Sequence, residues 1–346
     1  MTGSPSADPA PVKNVVFIGG SFVAISAVMK MRTAPLPPGY RIVVVEPHNH
    51  AHYMFGFPRA AVISGFEREL FVPYDNLFAT PETGVVVHAK AISITRTEVK
   101  LDRAVEGFGD SITFDYMVYC TGARHPSPGN LNDSHTKAEG IAVLKSYQMR
   151  IANAKKIVIA GAGAVGLELA AEIKEHYPEK TVTIVHSRDR YMMGYKMGIH
   201  SKSYGILKEL GVHQILGDRL IIPDSGVEDG VLCTLRTKLG KEIECDLLIP
   251  CTGMTPNSDV LATLSPAVIN PANNLVRIKQ TLQIDDDAYP NIFAGGDVVD
   301  SADIKTGLSA FWHADTIVQV NKPFMKPSMW LVFDLTRIGL SRTSSR

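Results

Sequence analysis

Two copies of one glycine-rich pattern, GGSFVA at 19–24 and GAGAVG at 161–166, constrain this chain more than any other feature. Each follows an apolar run, VVFI at 15–18 and IVIA at 157–160. A G-x-G-x-x-G/A turn between a strand and a helix is the phosphate-binding element of a dinucleotide unit. Its first glycine makes the tight turn, its second lets the backbone approach a pyrophosphate, and its third lets the helix pack closely on the strand. The second copy has all three as Gly161, Gly163 and Gly166. The first runs Gly19, Gly20, Ser21, Phe22, Val23, Ala24, with a serine where the middle glycine belongs. Ser21 adds a Cβ and a hydroxyl that can donate to a phosphate oxygen, and alanine is accepted at the third place.

The flanking sequence supplies the context that the pattern requires. The first copy leads into AISAVMKM, read as a helix, then a Pro-rich TAPLPPGY and a second strand, RIVVVE at 41–46. That strand ends in Glu46, which lies 46 − 19 = 27 residues past the first glycine. The usual interval is about 20, and the Pro-rich insertion accounts for the excess. A carboxylate there can accept from both ribose hydroxyls of an adenosine. The second copy, KKIVIAGAGAVGLELAAEIKEHYPEKTVTIVHS at 155–187, reads strand, turn, helix, turn, strand. Its helix N-terminus directs free N–H groups and the positive dipole end at a pyrophosphate. Its second strand ends in His186, Ser187 and Arg188, with no carboxylate before Asp189. Arg188 can pair with a 2′-phosphate, so NADPH is expected to serve at least as well as NADH. An exposed arginine with no ligand is the plainer alternative.

Two further pieces repeat. YCTGAR at 119–124 and PCTGMT at 250–255 each follow an apolar strand and end a unit at a Thr-Gly turn, containing Gly122 and Gly253. Later, IFAGGDVVD places Asp297 at a strand end with a helix expected behind it, which suits a flavin ribityl or phosphate contact. The first unit is thus completed by a segment that comes after the second. The fold expected is α/β, with two Rossmann-like dinucleotide-binding domains, one inserted into the other.

Composition excludes other classes. The 35 basic and 35 acidic side chains balance, which removes an electrostatic argument for nucleic acid or an anionic membrane. Segment 1–11 has no basic start or apolar core of a secretory signal, and no apolar run approaches the roughly 18 residues of a membrane span. Four cysteines, Cys120, Cys233, Cys245 and Cys251, lack CxxC or zinc-like spacing. Reduced thiols and a cytoplasmic location are expected. A disulfide reductase would need a cysteine pair beside the flavin, and the sequence has none after the first helix or in the second unit.

These spaced motifs, with NHAHYMFGFPRAAVISGFE at 49–67 and IKTGLSAFWHAD after the Asp297 turn, resemble the two-dinucleotide flavoproteins of the apoptosis-inducing-factor-like, ferroptosis-suppressor-like group over roughly residues 13–321. The resemblance implies FAD in the outer domain (12–145 and 271–321), NAD(P)H in the inserted one (146–270), and a divergent tail (322–346). The group's C-terminal region is not matched, so the chain looks C-terminally truncated. Electrons would pass from NAD(P)H through the flavin to a quinone-like or other small acceptor; a flavin-bearing redox sensor with little turnover is the alternative. Carried over by position, Gly19 to Val23 would wrap the FAD pyrophosphate and Arg59 would contact the flavin nucleotide. Val86 would meet adenine through its backbone, and Asp297 would hold the ribityl-phosphate end. Glu168, placed on the first turn of the second helix, would align the nicotinamide or relay a proton, and Lys305 would stabilise the reduced flavin. His313 reads as a core or capping histidine. Membrane contact would rest on the short MWLVF run at 329–333. The oligomeric state is left open.

Overall fold

The structure, a computed structural model, describes residues 12–33, 36–131 and 133–324. Strand β1 (Lys13–Ile18) turns into α1 (Phe22–Thr33) and β2 (Tyr40–Val45). A small antiparallel pair, β3 (His50–His52), then α2 (Phe57–Ala60), then β4 (Phe71–Pro73), precedes β5 (Gly84–Val87). Strands β6 (Ala91–Ile94), β7 (Glu98–Val105) and β8 (Gly109–Thr113) form an antiparallel meander before β9 (Tyr116–Tyr119) and the short β10 (Ala123–Arg124). Helix α3 (Lys137–Asn153) leads to the second unit: β11 (Lys156–Ala160), α4 (Ala164–His176), β12 (Thr181–His186), α5 (Met197–Glu209) and β13 (His213–Leu216). A second meander, β14 (Leu220–Ile221), β15 (Cys233–Thr237) and β16 (Glu242–Cys245), is followed by β17 (Leu247–Pro250), β18 (Thr255–Pro256) and α6 (Asp259–Ala262). The chain then returns through β19 (Ile292–Ala294) and α7 (Gly307–Phe324).

Two parallel sheets result, ordered β19–β9–β1–β2–β5 and β13–β12–β11–β17. Because β19 pairs with β9, the second sheet is an insertion between neighbours of the first. Parallel strands covered on both faces read as unbroken apolar runs, and Val15 to Ile18 are all buried. One face of the first sheet packs α1 and α7 through Ala24, Ala27, Val28, Ala314 and Ile317; the other packs the β6–β8 meander and the 261–299 segment. A third cluster joins the units, with Phe57, Leu70 and Phe71 from the first meeting Leu144, Leu169 and Ile173 from α3 and α4. Each such side chain contributes about 1.5–3 kcal/mol on burial, so α2 is held against α4 by apolar packing before any polar contact forms.

Several sequence expectations are adjusted. Helix α1 starts at Phe22, inside the glycine loop, rather than after Ala24. Helix α7 starts ten residues beyond Asp297, because 298–306 forms an irregular loop. The 145/146 division falls inside α3, whose N-cap Thr136 and Glu139 form a reciprocal capping box. The MWLVF run lies outside the described residues, and no described helix is long and apolar enough to cross a membrane.

The two glycine turns open with the same backbone geometry. Gly19 and Gly161 have φ of 107° and 109°, and their N–H groups reach Val45 O and Val185 O at 2.9 and 2.8 Å. A Cβ on Gly19 would lie 2.5 Å from the Cys120 carbonyl oxygen, and one on Gly161 2.3 Å from that of Cys251. Gly163, by contrast, has φ −76° and a Cβ there would meet nothing within 4 Å. Its counterpart is Ser21, since Ile25 N donates to Ser21 O as Leu167 N donates to Gly163 O. The middle glycine is therefore the one the fold can lose, which is why serine stands there. Gly161→Ala should cost at least about 3 kcal/mol, combining a positive φ with a backbone clash. Gly163→Ala should stay within about 1 kcal/mol. Urea unfolding of both variants checks this contrast, and equal losses would contradict it.

Candidate functional site

The site is built where the first glycine turn meets the first Thr-Gly turn and the Asp297 turn, and where Asn257 ties in the second Thr-Gly turn, against which Gly161 packs. At the first glycine turn, Gly20 N donates to Glu46 Oε2 at 2.6 Å, and Tyr74 Oη donates to Gly20 O at 2.7 Å. The other carboxylate oxygen, Oε1, accepts from His48 N at 2.9 Å and from the His48 ring Nδ1. Burial pushes the Glu46 carboxyl up, but the His48 bond and charge and the Gly20 N–H outweigh it and hold the pKa below normal. Glu46, expected as a ribose acceptor, also ties the turn to the end of β2, its three bonds leaving lone-pair capacity unused. Beside it, His48 Nε2 and His52 Nε2 are buried without hydrogen-bond partners among the described residues, and burial holds His52 neutral with a pKa down to about 4.

Val23 is buried, and its methyl would be 3.2 Å from a Cβ on Gly296, so the first turn abuts the Asp297 turn. His313 locks that second element: its Nδ1 accepts from Gly296 N at 3.0 Å, and its Nε2 faces Asp303 Oδ2 at 3.2 Å. The histidine is a structural clamp. Lys305 donates to Val299 O, and burial lowers its pKa against the pull of Asp297, Asp300 and Asp303. Phe22 packs against Phe55 at 5.0 Å with the rings tilted by 42°, and meets Phe311 edge-on at 6.1 Å. Val86 lies on the edge strand β5, where the carbonyls of Thr83, just before it, and Val87 accept from Ile42 N and Glu46 N. Parallel-ladder alternation therefore directs the Val86 N–H and C=O to the open edge.

In the second unit, Ala162 N donates to His186 Nδ1 at 3.2 Å, occupying the place that Gly20 and Glu46 hold in the first. Helix α4 has Gly163 at its N-cap with no side-chain cap, so its first-turn N–H groups stay available to an anion. Arg188 is exposed, its carbonyl accepting from Gly217 N at 2.7 Å. Glu168 is the fifth residue of α4, a turn later than expected, and exposed as a whole. Even so, partial desolvation of its carboxyl and the Glu172 carboxylate raise its pKa, with Arg59 acting against them. Arg59 pairs with Glu172 Oε1 at 2.9 Å, spanning from α2 to α4. No hydrogen bond or ion pair joins Glu168 to Lys305 among the described residues.

The Thr-Gly turns do more than end each unit. Asn257 donates its N–H to Gly122 O at 3.1 Å and its Nδ2 to Thr121 O at 2.9 Å, while its own carbonyl accepts from Tyr119 Oη at 2.6 Å. With the β10–β18 pairing this stitches the two units together next to Gly253. His125, Arg124 and residues 252–255 line a cleft there, and burial lowers the His125 pKa while Asp297 acts the other way. Tyr74, His48, His125, Asn257 and Glu172 were not found from sequence, because no motif spacing marks them.

These features fit FAD on the first turn and a nicotinamide dinucleotide on the second. A Cβ at Gly122, Gly163 or Gly253 meets open space, and the orphaned His48 and His52 nitrogens stand beside Glu46. The four cysteines are free; Cys233 and Cys245 oppose each other across β15 and β16, and none lies on α1 or α4. Removing the Glu46 acceptor strands a buried N–H, so Glu46→Ala should cost about 1–3 kcal/mol of stability. Its folded pKa is below the unfolded one, so the carboxylate's contribution is complete above about pH 4.3 and is lost as pH falls through the lower folded value. Glu46→Gln should accordingly flatten the acid limb of a stability-versus-pH curve, measured by urea unfolding.

Comparison with known proteins agrees with this geometry. Residues 13–316 match the family model described as pyridine nucleotide-disulphide oxidoreductase. Fe-regulated protein 8 of Mycosarcoma maydis is 31% identical over 323 residues, covering 88% of this chain and 78% of that protein. Ferroptosis suppressor protein 1 of Mus musculus is 27% identical over 326 residues, covering 92% and 82%. Among solved structures, a NAD-dependent persulfide reductase from A. fulgidus aligns with a TM-score of 0.68 at 22% identity, over 91% of this chain. The chain spans 60% of that reductase's length, and the likeness is one of fold. With both nucleotide turns in place and the family model covering nearly all the described residues, the chain belongs to the pyridine nucleotide-disulphide oxidoreductase family as an FAD- and NAD(P)H-dependent oxidoreductase of the ferroptosis-suppressor-like branch.

Proposed function

We propose that this protein passes electrons from NAD(P)H through FAD to an apolar, quinone-like small acceptor. The observation that carries the acceptor class is an aromatic patch around the first glycine turn. Phe22 meets exposed Phe55 and Phe311, Phe55 meets exposed Tyr53, and exposed Leu308 and Trp312 (63%) share the face of α7 that carries Phe311. Scattered exposed apolar residues are ordinary, but a contiguous set beside a cofactor turn marks a binding surface. When bound, FAD supplies the redox chemistry, accepting from the nicotinamide and donating to the acceptor.

The chain's own residues bind, orient and tune. Ser21, Phe22 and Val23, with Gly19 and Gly20, hold the flavin nucleotide's pyrophosphate, and Glu46 turns its remaining acceptor capacity to the ribose. Asp297, positioned by His313, takes the ribityl-phosphate end, while Val86 offers backbone groups to adenine. Gly161, Gly163 and Gly166 let α4 approach the second dinucleotide. Gly122 and Gly253 give the room between the units. Arg59 reaches from α2 towards Glu172 and Glu168, so it holds the two cofactor units in register. Glu168, its pKa raised, can hold a proton near the nicotinamide. Lys305 offers positive charge against a reduced flavin, and Arg188 offers it to a 2′-phosphate.

Purified protein should be yellow with non-covalent FAD, and anaerobic NADPH should bleach it. Trp312→Ala should raise KM for a small soluble quinone about tenfold, equal to the roughly 1.4 kcal/mol lost from one aromatic contact. The anaerobic rate of flavin bleaching should not change. Equal loss in both half-reactions, or in neither, would show that the patch does not serve the acceptor. Arg188→Ala should raise KM for NADPH more than for NADH, and a uniform rise would remove Arg188 from 2′-phosphate recognition.

A further inference from the structure

The meander β14–β16 covers one face of the second parallel sheet, setting Leu235, Ile243 and Cys245 against Val158, Ala160, Val185 and Leu248. Side chains along a strand alternate between faces, so residues directly opposite across an antiparallel pair share one face. Leu235 stands opposite Ile243, and two residues on, Cys233 stands opposite Cys245. Cys245 is fully buried in that cluster, while Cys233 packs on it half-buried. Cys120 and Cys251 follow β9 and β17, strands of different sheets, so these two are the register-matched pair among the four cysteines.

Opposed residues of such a ladder have Cα atoms roughly 4.5–5.5 Å apart, inside the roughly 4.4–6.8 Å that a disulfide accepts. Closing the bond draws the two Cβ atoms together by about 1 Å. The pair sits at the open end of the β15–β16 hairpin, away from its turn at Leu239 and Gly240. There β16 is pinned: the carboxylate of Asp246, next to Cys245, accepts from Lys155 N and Lys156 N at 2.9 and 2.8 Å. Burial pushes the Cys245 thiol up to about 11; a backbone bond at Leu247 opposes this and the nearby Cys233 adds to it. Cys245 therefore stays protonated at neutral pH, and the half-buried Cys233 is the thiol that meets a solute.

We propose that Cys233 and Cys245 form an oxidisable pair, closed by hydrogen peroxide into a disulfide that staples the open end of this hairpin. The Cys233 thiolate attacks the peroxide and the O–O bond breaks; the sulfur gains a hydroxyl, and the other oxygen leaves as water. The Cys245 sulfur then attacks the Cys233 sulfur, the S–O bond breaks, and the hydroxyl leaves with the Cys245 proton as a second water. Two electrons pass from the thiol pair to one peroxide, and a dithiol reductant reverses the change. The strands beneath, β11 and β12, lead into Gly161 and His186, so the staple stiffens the support of the second turn rather than the turn itself.

Arg236, Lys238 and Lys241 lie between the two cysteines, so trypsin separates them unless a bond joins them. The folded full chain, treated with a few equivalents of hydrogen peroxide, should yield the Cys233 and Cys245 peptides as one cross-linked species. Mass spectrometry should find it two hydrogens lighter than the separate peptides, and dithiothreitol should split it. Amide exchange over residues 231–235 should slow at least about tenfold in the oxidised protein. Cys245→Ser should stop at a Cys233 sulfenic acid that dimedone captures, and Cys233→Ser should give no cross-link. Separate peptides after peroxide, a cross-link through Cys120 or Cys251, or a cross-link with unchanged exchange would each overturn the inference.

Discussion

Everything in this molecule hangs on how closely a glycine approaches a carbonyl. Gly19 and Gly161 sit in left-handed conformations against the carbonyls of Cys120 and Cys251, with no space for a methyl group. That contact lets the strand turn immediately into a helix while the neighbouring strand continues beneath it. Gly166 adds the same constraint one turn on, a Cβ there falling 2.1 Å from Gly161 O. In the first unit Ala24 fills the corresponding place and is fully buried. Interiors are packed too densely to absorb such an atom elsewhere, so the helix N-terminus, and the anion site it makes, exists only because Gly19 and Gly161 lack a side chain.

A turn this tight leaves N–H groups pointing into protein, and the structure satisfies them with side chains from the adjoining element. Glu46, His186 and His313 accept from Gly20, Ala162 and Gly296 respectively. The geometric task is the same in all three; the charge differs. Glu46 keeps its carboxylate ionised in a buried place through His48 and the Gly20 N–H, whereas the histidines serve neutral. Structural satisfaction and cofactor electrostatics are thus carried by the same atoms, and a substitution at any of these positions changes both.

Bringing two nucleotide units face to face is a separate task, done by apolar packing first. Phe57 and Phe71 bury against Leu144 and Leu169, which sets α2 on α4 and brings Arg59 to Glu172. The ion pair is half exposed on the arginine side and contributes little stability by itself; its value is positional. Asn257 supplies the second fastening, threading hydrogen bonds through the first Thr-Gly turn from a position just beyond the second.

Sequence alone determined the repeated strand–turn–helix units, their order and the insertion, because glycine spacing and unbroken apolar strands are local patterns with local causes. Gly19, Gly161, Glu46 and Asp297 were legible for that reason. It also located Ser21 as the departure, but only the tertiary structure decided that the departure is harmless, since the room beside Gly163 depends on what packs around it. Likewise Arg59 was visible as a residue, yet its partner Glu172 is 113 residues away. Tyr74, His125 and Asn257 act through contacts that no spacing encodes. His186 was read as a strand end without an acid; that its ring takes over the acid's hydrogen bond required the register of two strands and the direction of one N–H. Local backbone demands are written in residue type and interval, whereas the choice of partner across the fold follows from packing, which the linear order does not carry.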